Sequence, residues 1–196
     1  MMQTKFISVL LFTTFYTIIR YVVFGNVEII QLPTFLLNKS ISMASTIYLL
    51  LASISFEKGE MKKLKYWGTH SWYFAILHVL LSLSILSSAY YPKFFGPGKM
   101  NLVGELSIMF GVLAMFSFWI LRNGKKAFGS RLLLRALVGL LITAHLFVMG
   151  ITGWINISKW HGGLPPISLL SFICIIISVV FFLWSWMLKK REYQSK

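Results

Sequence analysis

The sequence predicts an all-α, polytopic membrane protein, a six-transmembrane-helix bundle with both termini cytoplasmic, and three observations predict it. Of 196 residues, 57% are hydrophobic and 12% charged, whereas soluble domains carry about half apolar and about a quarter charged residues. The apolar residues form six runs, each near the roughly 20 residues of helix that cross a bilayer. The 19 Lys and Arg stand against five acids and gather between alternate runs, as the loops on the cytoplasmic side of a membrane do. Seventeen Phe, eight Tyr and seven Trp exclude a disordered chain, which lacks the apolar surface to fold.

The first run, residues 6–24, follows Lys5 and resembles a signal peptide in outline. It is too long, holds Arg20 and lacks a small-x-small cleavage site, so it reads as the first span. The second run starts at Ile41, and its helix is expected to reach back to Leu37 to gain spanning length, giving residues 37–56. Residues 67–90, 102–121, 132–155 and 167–188 supply the other four spans. Turn residues punctuate the joints: Pro33 and Asn38, Lys58-Gly59, Pro92 with Gly96-Pro97-Gly98, Asn123-Gly124, and Gly162-Gly163-Leu164-Pro165-Pro166. No linker is long enough to separate one domain from another, so residues 1–196 read as one transmembrane domain.

Charge sets the expected orientation. Thirteen basic residues collect on one side: Lys5; Lys58, Lys62, Lys63 and Lys65; Arg122, Lys125, Lys126 and Arg131; Lys189, Lys190, Arg191 and Lys196. Lys39, Lys93, Lys99 and Lys159 fall on the other. The richer side is the cytoplasm, so the third and fifth spans both run outward and the chain is expected in the cell (inner or plasma) membrane as a multi-pass protein. The net charge of +14 is this topology signal rather than a nucleic-acid footprint. The single cysteine, Cys174, excludes an internal disulfide and a Cys-based metal site.

Ionisable side chains inside hydrocarbon are costly and mark candidate sites. Arg20, Glu105 and Arg135 lie within about a turn of a span end, where snorkelling to the interface is the ordinary expectation. His78 and His145 lie deeper, 11 and 13 residues into their spans, or about 17 and 20 Å from the same membrane face at 1.5 Å per residue. Two imidazoles at one depth on parallel helices are the arrangement that ligates a haem iron from both faces. They are also the arrangement of two interhelical hydrogen bonds, and depth alone admits both. His70 lies about 80° around the helix from His78, and His161 sits in an outer loop beside Trp160, so the two face opposite surfaces and share no ligand. The sequence holds no paired carboxylates, no nucleophile beside a base, no phosphate-binding loop and no dinucleotide fingerprint.

The stretch Leu64-Lys65-Tyr66-Trp67-Gly68-Thr69-His70-Ser71-Trp72-Tyr73-Phe74-Ala75-Ile76-Leu77-His78 resembles the third helix of the ferric-reductase-like transmembrane family, where a basic residue and a Gly precede an aromatic-Ala run that ends in a haem-ligand His. The fifth run, from Phe128-Gly129-Ser130-Arg131 through Ala144-His145-Leu146-Phe147, is similar to the family's matching helix. The resemblance implies a six-helix, b-type haem electron-transfer protein, with His78 and His145 as cofactor-binding and metal-ligating residues. Two-haem members carry a second His 13 or 14 residues along each ligand helix. Here those positions hold Leu64, Pro92, Leu132 and Ser158 or Lys159, which implies one haem b and leaves a second site open only to His70 or a non-His ligand.

The resemblance therefore implies a membrane subunit of a reductase system. A flavoprotein or quinone pool would supply electrons from outside the chain, and an acceptor would meet the Trp160-His161-Gly162 loop. The alternative is a non-redox membrane transporter or assembly subunit in which the His pair is interhelical glue; a broken helix or an internal repeat would favour transport.

Overall fold

The computed structural model describes residues 2–25, 27, 32–124 and 128–194; Lys125, Lys126 and Lys196, which enter the charge count, lie outside them. Among the described residues the chain forms helices and short loops, with no strand. Helix α1 (Met2–Ile18) continues into a wider π turn at Ile19–Val23. A second π turn, Leu32–Leu36, leads into α2 (Leu37–Glu57). There follow α3 (Met61–Ser84), α4 (Leu102–Asn123), α5 (Phe128–Trp154) and α6 (Ile167–Gln194). Five are long and apolar enough to cross a membrane: Met2–Val23, Thr34–Glu57, Leu102–Asn123, Arg131–Trp154 and His161–Leu188. Helix α3 is 24 residues long but carries Lys62, Lys63 and Lys65 at its start and more polar side chains along its length.

Local chemistry sets the ends. Asn101 caps α4, its side chain accepting from Gly104 N at 3.1 Å, and Glu105 sits in the first turn, where the helix dipole favours an acid. Gly59 turns the chain between α2 and α3 at φ +72°, a conformation other residues rarely adopt. Against the expected span 67–90, α3 begins at Met61 and stops at Ser84. Residues 85–91 instead fold back, and Tyr91 enters the bundle with 7% exposure.

Helix α2 is the central element. It packs on α1, α3 and α6, while α5 packs between α4 and α6. The order α3-α2-α6-α5-α4 nearly closes into a ring, and α3 and α4 barely touch. Small residues permit this close packing. Ser45 and Ser71 donate to each other's backbone carbonyl at 2.9 Å, tying α2 to α3. On α5, Gly139 faces Val179 of α6 so closely that a Cβ would lie 2.4 Å from Val179 Cγ2. Tyr48, Phe56, Val138, Ile175 and Phe182 fill the core between α2, α5 and α6.

The α3/α4 seam is closed at one end only. Near the α2-α3 turn, Trp72 meets Phe118 edge-on at 5.2 Å, and Arg122 reaches Tyr73 Oη at 3.2 Å. Toward the opposite end, which bears the loops around Gly98 and Gly162, the ring encloses a cavity of about 580 Å³.

Candidate functional site

That volume lies within the roughly 300–1,000 Å³ typical of cofactor and ligand sites. Its walls come from α2 to α6, with Arg20 and Tyr21 reaching in from the end of α1. His78 of α3 and His145 of α5 both line it, so the tertiary fold brings the two sequence-selected imidazoles to one space.

Each ring is oriented by a different neighbour helix. His145 Nδ1 lies 2.7 Å from the backbone carbonyl oxygen of Ser107 on α4. A carbonyl only accepts, so Nδ1 carries the proton. His78 Nδ1 donates to Asn38 Oδ1 at 2.6 Å. Asn38, fully buried on α2, is itself held by donating through Nδ2 to Ser82 Oγ at 3.0 Å and Tyr91 Oη at 2.9 Å. In a neutral imidazole with Nδ1 protonated, Nε2 bears the lone pair. Among the described residues neither Nε2 has a hydrogen-bond partner.

This is the pattern of a metal-ligating histidine, whose second nitrogen donates to a carbonyl or carboxylate that sets tautomer and ring angle. Two such rings line one largely apolar cavity. Among the described residues no three His, Cys, Asp or Glu side chains gather, so the cavity offers a pair of imidazoles and not a polydentate cage.

Asn38, Ser107 and Gly111 are missing from the sequence-derived set. Along the chain Asn38 reads only as a joint residue, yet it is an amide at the entry of an apolar run and orients His78. Ser107 and Gly111 stand four apart on α4, a small-xxx-small spacing. A Cβ on Gly111 would lie 3.2 Å from His145 Nδ1, so the absence of a side chain there makes room for the ring.

Some of the other singled-out residues depart from expectation, while Glu105 and His161 keep to it. Arg20 does not snorkel outward: it is 4% exposed and donates to the Leu164 carbonyl. Arg135 is half-buried, its guanidinium 4.8 Å from the Phe56 ring centre and one Nη buried without a hydrogen-bond partner. Glu105 is exposed in the first turn of α4. Lys39, counted on the outer side, lies in the first turn of α2 and lines the cavity. His70 donates through Nδ1 to the Tyr66 backbone carbonyl, 2.8 Å away, and packs against Phe6 and Tyr48, away from the cavity wall. His161 lies 6.0 Å from the Tyr21 ring and lines the cavity mouth.

Compared with known proteins, the sequence matches no family model and no curated protein.

Proposed function

We propose that the chain crosses the cell membrane six times, α3 included, with both termini on the cytoplasmic side, and holds one b-type haem between His78 and His145. It would serve as the electron-carrying membrane subunit of a reductase system of the ferric-reductase-like kind. The observation that carries this reading is the commitment of both Nδ1 atoms to carbonyl oxygens on separate helices, which leaves the Nε2 lone pair available on two histidines that line one cavity.

When bound, the haem supplies one-electron chemistry at a potential set by its surroundings. Asn38 and the Ser107 carbonyl hold the imidazoles in one tautomer and raise their basicity. Ala75, Val79, Ala114, Met115 and Leu146, which line the cavity, exclude water and keep the local dielectric low. Trp72 and Phe118 close the seam toward the α2-α3 turn, so access to the cavity is directed to the loop end of the bundle. A flavoprotein or the quinone pool is the donor class, since no nucleotide motif stands in the sequence.

The competing reading, a non-redox transporter or assembly subunit with the histidines as glue, accounts for the Nδ1 bonds. It assigns no role to the free Nε2 atoms or to the cavity. A reduced-minus-oxidised absorption spectrum with a haem-to-protein ratio tests the proposal. One haem per chain is expected, with the low-spin spectrum lost in His78→Ala and His145→Ala and kept in His161→Ala. A colourless protein that stays colourless with added haem refutes it. Reporter fusions at Gly98 and Gly162 should both read as external; a cytoplasmic reading at either refutes the topology.

A further inference from the structure

The loop end of the cavity carries a concentration of positive charge that the histidines do not explain. Arg20 is only 4% exposed. One of its Nη atoms donates to the Leu164 carbonyl, and its Nε is buried with no partner among the described residues. Lys39 follows directly on Asn38, the residue that holds His78. Its ammonium sits over the faces of Phe35 at 5.0 Å and Tyr91 at 5.2 Å, and no hydrogen-bond acceptor for it stands among the described residues. Lys93, in the α3-α4 loop, donates to the Met149 carbonyl; burial pushes its pKa below the usual 10.5. All three line the cavity, and no Asp or Glu does so among the described residues.

Cations withdrawn from water need compensating charge, and ring faces and single carbonyls compensate only partly. Arginine presents a planar fork matched to carboxylates, and lysine presents a point charge. We propose that Arg20 and Lys39, with Lys93 at the rim, form a carboxylate-binding site at the loop end of the cavity. The carboxylates come from one of two sources: the propionates of a haem held by the histidines, or a free polycarboxylate entering from the loop side. The first source rests on the haem reading; the second does not.

The test uses the full chain, purified in detergent without haem, and three probes: haem b, its dimethyl ester and citrate. If propionates are the source, the wild type binds haem b about tenfold or more tightly than the ester, as one retained charge-assisted contact would give. Arg20→Gln and Lys39→Gln should each shrink that preference while the ester still gives a His78-dependent spectrum. If a free polycarboxylate is the source, both haem forms bind alike, and citrate raises the melting temperature of the wild type but not of the two variants. Equal binding of the two haems with no citrate effect overturns the site. So does a preference or a citrate effect that survives in Arg20→Gln, Lys39→Gln and Lys93→Gln alike. Should Arg20→Gln fail to fold, Arg20→Lys and the two lysine variants decide. If neither haem form binds in a His78-dependent way, the haem reading falls on its own, and the citrate arm still decides the carboxylate site.

Discussion

Asn38→Ala is the most informative single change, because one fully buried amide serves three partners on two other segments of the chain. The substitution removes the acceptor for His78 Nδ1–H at 2.6 Å and the donor to Tyr91 Oη at 2.9 Å and to Ser82 Oγ at 3.0 Å. A buried polar group left unpaired costs about 1–3 kcal/mol. Ser82 Oγ stands 3.4 Å from His78 Nδ1 and can turn to it, recovering some of the loss. Tyr91 Oη then loses its donor outright, while His78 and Ser82 share a longer contact, and the expected destabilisation is about 1–3 kcal/mol. The imidazole also loses the partner that sets its angle, so haem affinity should fall about 10–100-fold. Asn38→Asp keeps an acceptor at the same place and should retain ring orientation and the low-spin spectrum. Thermal unfolding in a fixed detergent reads the first effect, and a haem titration followed by absorption reads the second. An Asn38→Ala protein with wild-type unfolding and wild-type haem affinity would refute the view that Asn38 orients His78.

Three further outcomes follow from the packing. Gly111→Val places a branched side chain where even a Cβ lies 3.2 Å from His145 Nδ1; it should weaken haem binding while leaving helix content by circular dichroism unchanged, and unaltered affinity would show that the ring has room to move. Gly139→Leu forces α5 from α6, where a Cβ already stands 2.4 Å from Val179 Cγ2, and should cost about 1–3 kcal/mol or more in unfolding experiments. Ser45→Ala and Ser71→Ala each remove one of the paired bonds between α2 and α3; each should cost about 0.6 kcal/mol. A double-mutant cycle should show coupling, since the two bonds hold the same helix contact, and strict additivity would mean that the bonds act independently.

Much of the architecture is legible along the chain. All six apolar runs are helical over most of their length, and five of these helices are long and apolar enough to cross a membrane, where a backbone that must satisfy itself has little choice but helix. The stop of α3 at Ser84 is not legible. Residues 85–90 continue the run without a Gly or Pro to break it, and they leave the helix so that Tyr91 can pack inside and meet Asn38, a partner 53 residues away. Arg20 shows the same limit: proximity to a helix end suggests snorkelling, and only the neighbours that surround it make it turn inward.

The candidate site divides in the same way. The matching depth of His78 and His145 follows from the sequence, since helical rise converts residue count into height. So does a helical chain made for lipid, because composition and run length are properties of the chain by itself. The meeting of the two rings at one cavity, the fixing of their tautomers by Asn38 and Ser107, and the lining of the other end by Arg20 and Lys39 follow from the folded bundle alone. Those facts depend on how helices rotate and cross. Rotation is set by contacts between residues far apart in sequence, such as Gly139 with Val179 and Ser45 with Ser71, and a single chain read in order does not reveal which distant residues will meet.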